Sequence, residues 1–480
     1  MEDKKNGCVG NCTEKQKKEN CVCVTRPDRR QRSDAPKNLQ RWLKYISVTM
    51  ISLVAFEAVA VATAMPYVVE DLGGENFYAL ASGIVLATQL ITTALAGPWC
   101  DAKGPKPVLY TGSVLFLCGL SFAAFAPDIG ILVLGRATQG LGAGMLIVPL
   151  YVMIGRHVEP VRQPAFFAAF AAAWVFPSLV GPAIAGIFVD YLHWRWVFGV
   201  TPILLLAAAP FMLTKLRRFP DARERKELPG LPKMILAAAV SGIAACLLQM
   251  LSGMDAKQLN LSVLAAIVFF TCLSLGAIRP LLPPRTLTAA PGVPATVFYR
   301  GIINGTYLAV ELYLPLMLKN VHGFSPTRAG LVLTVGSVTW AIGSWIQGRL
   351  PEGKIRRALP LIGSSAQIVG SALTLPGVIP NVPGEITFIG WLIASFGIGL
   401  VYPAMTVHAL ALTALHEHGK TSSGLQISDT LGAAVMIAYA GIVYAFAAPM
   451  GNSAFAVTIG FVCAVMAAGL LTARRIRPRS

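Results

Sequence analysis

Five ionisable side chains stand inside otherwise apolar runs: Glu57, Arg136, Arg300, Glu311 and Asp429. An ionised group at the centre of a membrane span costs at least about 2.5–3.5 kcal/mol, so each needs a counter-charge, a water-filled cavity or a proton. Buried acids and guanidinium groups in that setting can exchange protons, hold a cationic ligand or pin two helices together. At about 1.5 Å per helical residue, Glu57 lies about 13 Å below Pro66, and Arg136 about 10 Å from one end of its own run. The two therefore stand at similar depth. Glu311 falls in the outer half of its run and could bind a proton or a cationic substrate. Asp429 and Arg300 lie at comparable depth near the inner ends of theirs, where a fixed buried pair is preferred to a proton relay. His408, alone near an inner end, reads as a packing residue rather than a relay.

The elements that must position these groups are helices. Fourteen apolar stretches fall near residues 43–67, 77–97, 106–126, 130–154, 164–190, 194–214, 234–254, 259–279, 294–318, 327–349, 358–379, 385–411, 424–448 and 453–473. Each suffices to cross a hydrocarbon core of roughly 30 Å. They show no alternation, and only a helix satisfies its backbone within one such segment. A hydrophobic fraction of 55% and a mean hydropathy of +0.62 leave too little polar surface to cover one soluble core. The expected fold is an all-α membrane protein with 14 transmembrane helices.

Charge tests that count. With the amino terminus cytoplasmic, strict alternation puts most of the 40 Lys and Arg on the cytoplasmic side. Arg195, Lys257, Lys319 and Arg328 are left outside, and Arg136 and Arg300 within spans. This matches the positive-inside pattern, with both termini cytoplasmic. The net charge of +17 is then a topology signal. Nucleic-acid binding would need basic residues gathered on one folded face among aromatic platforms.

Residues 1–42 read as a disordered basic tail without a signal peptide. Its Cys8, Cys12, Cys21 and Cys23 lack the paired spacing of a structural zinc site, so reduced thiols are expected. Residues 43–214 hold six spans, 215–293 a basic loop and two inserted spans, 294–473 six more, and 474–480 a basic cytoplasmic tail. The links after the second and tenth spans match: Gly97, Asp101 and Lys106 have the spacing of Gly348, Glu352 and Arg357. Two six-helix halves with a pair inserted between them form a transporter plan. No role for the inserted pair is legible beyond widening the lipid-facing rim.

With these motifs in place, the chain from about residue 43 to 475 resembles the major facilitator superfamily, in its 14-helix drug:proton antiporter branch. Gly97, Asp101, Gly104 and Lys106 stand at the positions of that family's loop motif, although Pro105 replaces a usual base. Arg136, Gln139, Gly140 and Gly142 match its fourth helix. Gly181, Pro182 and Gly186 keep all but one position of the antiporter motif, where Ala185 replaces a Gly. Glu57 and Pro66 have the spacing of the branch's first-helix acid and Pro. The resemblance implies that the first and fourth helices line a central cavity where Glu57 meets Arg136 as coupling carboxylate and counter-charge. It also implies that the Asp101 loop latches the two halves on the cytoplasmic side. By chemistry alone, Asp101 is placed to cap a helix beginning near Pro105. Gly181, Pro182 and Gly186 permit close contact and a kink.

A multidrug cavity should be apolar and ringed by aromatics with a few polar groups. Phe56, Gln89, Gln139, Trp174, Tyr307 and Trp340 are candidates to line it; lipid contact is the alternative for any of them, and Trp194 and Trp196 are expected at the membrane interface. Nothing resembles a nucleotide-binding loop, so no enzyme activity, cofactor or metal is expected. The expected protein is a monomeric, proton-coupled secondary active exporter of amphipathic or cationic drugs, working by alternating access in a bacterial plasma (inner) membrane. Export of a specific metabolite, peptide, lipid or siderophore on the same scaffold is the alternative. Its partners are then protons, the lipid bilayer and a small amphipathic substrate, with no nucleic acid.

Overall fold

The computed structural model describes residues 36–159, 162–220, 231–254, 260–351, 353–413, 418–473 and 475–476. Cys8, Cys12, Cys21 and Cys23, and Glu352 of the second loop motif, lie outside the described residues, as do most of the two predicted tails. Fifteen α-helices follow in order. They are α1 Lys37–Asp71, α2 Tyr78–Lys103, α3 Pro105–Ala124, α4 Ile129–Gly144, α5 Ile147–His157, α6 Gln163–Ile187, α7 Arg195–Leu216, α8 Leu231–Leu251, α9 Leu261–Ala277, α10 Val293–His322, α11 Pro326–Arg349, α12 Lys354–Ala372, α13 Ile386–Ala411, α14 His418–Ala447 and α15 Ser453–Ala473. No strand occurs among the described residues. They make 14 segments long and apolar enough to cross a membrane, α4 and α5 together forming one.

The first helix begins at Lys37 rather than near 43, so the end of the predicted tail is helical. Gln40 is buried there and accepts a hydrogen bond from Arg162 Nη1 at 3.1 Å. Trp42 packs edge-on to Phe211, with the Lys215 ammonium 4.9 Å over the Trp42 ring. These anchors carry the helix past its apolar run.

The fourth span is broken, not continuous as the hydropathy suggested. Pro149 has no N–H for the carbonyl of Met145, which breaks the ladder one turn earlier. Met145 and Leu146 instead bond three residues back, to Gly142 and Ala143. Gly142 holds this turn against α3: a Cβ there would fall 2.3 Å from the Phe116 amide nitrogen.

Two bundles of six spans each result, α1–α7, in which α4 and α5 make one span, and α10–α15. In the first, α1 packs on α6, and α4 lies between α2 and α3; in the second, α10 packs on α14 and α13 lies between α11 and α12. The bundles meet along two seams, α6 against α11 and α2 against α14. We call the end that carries Asp71 and Pro326 distal and the end that carries Lys37 and Ala473 proximal.

The inserted pair is more than a rim. Helix α8 lies across the second seam against both α2 and α14, with α9 behind it. Gln249 of α8 fits over Gly83 of α2 and donates Nε2 to the Ala434 carbonyl of α14 at 2.7 Å. Thr271 of α9 shares a hydrogen bond with Tyr439 of α14 at 2.9 Å. Polar side chains thus tie the pair to the second bundle inside an otherwise apolar contact.

Candidate functional site

Helix α4 starts cleanly because Asp128 caps it, accepting the Ile131 amide at 3.0 Å. Its glycines then let it press against two neighbours: Cβ atoms on Gly135 and Gly140 would clash with the backbones of α3 and α2. This close approach brings Arg136 under α1 and α2. Its Nη1 donates to Glu57 Oε1 at 2.5 Å and to Gln139 Oε1 at 2.7 Å, and its Nε donates to the Ala81 carbonyl at 3.2 Å. Glu57 and Arg136 are 3% and 5% exposed. The spacing of acid and base on separate spans is therefore realised as a buried, charge-assisted pair spanning three helices. Gln139, expected on a cavity wall, is instead wholly buried behind Arg136. The guanidinium claims its oxygen, which turns the side chain inward.

The second bundle holds a counterpart. The Arg300 fork on α10 grips Asp429 on α14, Nε lying 2.9 and 3.0 Å from the two carboxylate oxygens and Nη2 2.8 Å from one. Tyr402 of α13 donates its hydroxyl to Asp429 at 2.8 Å, and Arg300 lies 4.0 Å over the Tyr402 ring. Arg300 Nη1 also donates to Thr406 Oγ1. Gly301 and Gly432 make this possible, since a Cβ on Gly432 would meet the Gly301 carbonyl at 2.2 Å. With both carboxylate oxygens occupied, Asp429 is a tie between three helices.

Glu311 differs from both acids. It stands one helical turn beyond Tyr307 on α10, half-buried, and has no hydrogen-bond or ion-pair partner among the described residues. Tyr307 below it is enclosed rather than cavity-lining: it stacks on Trp391 at 4.5 Å, meets Trp340 edge-on at 4.9 Å and shares a hydrogen bond with Ser395 at 2.9 Å. The aromatic run continues from Trp340 to Tyr402 at 5.6 Å. Phe56, Gln89 and Trp340 are half-buried, and Trp174 is 40% exposed. Trp194 is buried and donates Nε1 to Asp71 at 2.7 Å, so it packs against protein rather than lipid, whereas Trp196 is 46% exposed.

The loop motif at the proximal end also departs from expectation. Asp101 lies within α2 and does not cap α3, whose first residue is Pro105. Gly104 precedes it at φ 84°, a conformation that favours glycine, and α3 has no side-chain cap. Asp101 instead pairs with Arg156 of α5 at 3.5 Å, both partners part-exposed. Lys106 Nζ donates to the Phe219 carbonyl at 2.5 Å. These contacts stay on the first-bundle side of the molecule, and the Cβ position of Gly97 faces open space. The expected latch between halves is not formed by them in this conformation.

At the distal end the bundles are clasped. A Cβ on Gly181 would press Val59 of α1, whereas one on Gly186 would meet Thr327 Cα of α11 at 2.3 Å. Gly330 of α11 approaches the carbonyl of Pro182 and the side chain of Thr63. Past α6, a π-helical turn at Phe188–Leu192 presents Asp190, which accepts both the amide (3.1 Å) and the hydroxyl of Thr327. Lys319 of α10 donates to Glu70 and to the Pro66 carbonyl at 2.8 Å, and Tyr67 donates to the Phe324 carbonyl at 2.8 Å. Sequence reasoning singled out the glycines but missed Asp190, Glu70 and Tyr67. The one available signal was Lys319, a basic residue on the side where bases are rare.

A family model described as Major Facilitator Superfamily matches residues 47–436. The chain is 26% identical over 403 residues to the multidrug transporter protein MdtP of Bacillus subtilis, covering 81% of this chain and 72% of that one. It is 24% identical over 406 residues to a probable multidrug-efflux transporter of Mycobacterium tuberculosis, covering 82% and 85%. Among solved structures, the POT family transporter PepTSo superposes with a TM-score of 0.65 at 14% identity, over 90% of this chain and 98% of that one.

Proposed function

The chain belongs to the major facilitator superfamily, a multi-pass membrane transporter of small molecules, and we propose that it is a proton-coupled exporter of amphipathic or cationic drugs. The names carried by its bacterial relatives support the cargo class. The likeness to peptide transporters is one of fold alone at 14% identity.

In this reading the membrane is the plasma (inner) membrane, the proximal end with both termini faces the cytoplasm, and the distal end faces out. The contacts at Gly186, Asp190 and Lys319 then hold the two bundles together on the outer side. The observation that carries the coupling is Glu311: of the three intramembrane acids it alone lacks an arginine among the described residues. An unpaired carboxyl in a span is tolerated when it carries a proton or faces a cation. Ionised and facing inward, Glu311 attracts the cationic drug. When the bundles rock, external protons neutralise it and the drug leaves outward. The neutral carboxyl then returns inward and loses its proton. The Glu57–Arg136 pair serves as the second coupling element, opening when proton or cation competes for the Glu57 carboxylate.

Proteoliposomes of the purified protein, offered a panel of cationic, neutral and anionic dyes under an imposed pH gradient, test this reading. Gradient-driven movement of several unrelated cations is expected. Movement of a single metabolite, or none under any gradient, would overturn it.

A further inference from the structure

The distal seam is not closed along its whole length. Beside the clasp, between α1 and α2 on one side and α10 and α14 on the other, lies a cavity of about 490 Å³. The turn that follows α8 of the inserted pair supplies a further wall through Ser252 and Met254. The cavity is within the size range of small-molecule sites.

Its chemistry is specific. Tyr78, Tyr313 and Tyr444 line it, with Tyr313 set edge-on to Tyr78 at 5.8 Å and tilted against Tyr444 at 5.1 Å. Tyr78 spends its hydroxyl on the Leu312 carbonyl. Tyr313 is 1% exposed, yet its hydroxyl has no hydrogen-bond partner among the described residues. Three charged groups line the walls: Glu70 and Lys319, paired with each other, and Glu75, which has no partner among the described residues. The lining thus carries one net negative charge beside aromatic faces, the combination that attracts a monovalent organic cation.

We propose that this cavity is a second binding site, open to the distal side and separate from Glu311, for a monovalent organic cation with an aromatic body. That the site faces outward rests on the orientation given under the proposed function. The inserted pair then has a role in forming the site, because the turn at the end of α8 walls it.

The test uses the full chain in nanodiscs, with Met254→Cys as reporter and Asn320→Cys as a second on another wall. Labelling by a membrane-impermeant maleimide is followed with tetraphenylphosphonium or its size-matched anion tetraphenylborate. Protection of at least roughly fivefold by the cation and none by the anion is expected, with apparent affinity roughly fivefold weaker in Glu75→Gln. Protection must persist in Glu311→Gln. No labelling at either reporter, equal protection by both ions, or protection lost with Glu311→Gln would overturn the site. Binding rather than efflux is read, so failure here with cation–proton exchange intact leaves the proposed function standing, and the reverse result leaves the site standing.

Discussion

Gly186 of α6 meets Thr327 of α11 backbone to backbone, with no room for a methyl group between them. Because the two residues belong to different bundles, the contact exists only while the distal end is shut. Gly186→Ala should therefore oppose closure. Overpacking costs about 1–3 kcal/mol, and each 1.4 kcal/mol is about tenfold in an equilibrium. Spin labels across the distal seam should show the open population rising by roughly tenfold or more, with helicity unchanged. An unaltered distance distribution would count against the clasp.

The tie between Arg300 and Asp429 makes a stability prediction. Asp429→Asn leaves a buried guanidinium without its counter-charge, which typically costs about 3–5 kcal/mol. Thermal unfolding in detergent should drop accordingly, and the double change Arg300→Met with Asp429→Leu should recover most of the loss. Recovery of stability without recovery of transport would assign Asp429 a proton-relay role instead.

Much of this was legible in the sequence, for a physical reason. Charge in a span is costly and therefore rare, so Arg300 could be matched with Asp429 by depth, and Glu57 with Arg136 by depth together with the family resemblance. The fourteen spans followed from length and apolarity. Other features depended on contacts between distant parts of the chain. Asp101 looked like a cap for the next helix, but its partner Arg156 lies 55 residues on. Asp190 and Thr327 are 137 residues apart and in different bundles. Pro149 was visible, yet apolar continuity hid the break it causes. That Glu311, alone of the three intramembrane acids, lacks a counter-charge among the described residues could be known only once its neighbours were in place.

Glu57→Gln keeps an amide oxygen for Arg136 to bond while removing the charge. The variant should fold and remain monodisperse, and gradient-driven efflux should fall by about tenfold or more. Undiminished efflux across the pH range would remove Glu57 from the coupling.

Acid sensitivity at the distal surface has a defined sign. Glu385 lies outside the spans, and its carboxyl is held below the usual range, first by its own backbone amide and then by Arg328. A depressed folded value means that the stabilisation is complete above the unfolded value of about 4.3. It is lost as pH falls through the folded value. Glu385→Gln should thus flatten only the acid limb of a melting-temperature profile; a change confined to neutral pH would contradict the assignment.

Proton movement through Glu311 is the central claim, and one measurement reaches it most directly. Ethidium is added to proteoliposomes that enclose a pH-sensitive dye. Exchange of entering cation for departing protons should raise the internal pH with the native chain, and Glu311→Gln, which can neither hold the cation by charge nor carry the proton, should abolish that rise. An equal rise with Glu311→Gln would contradict the account.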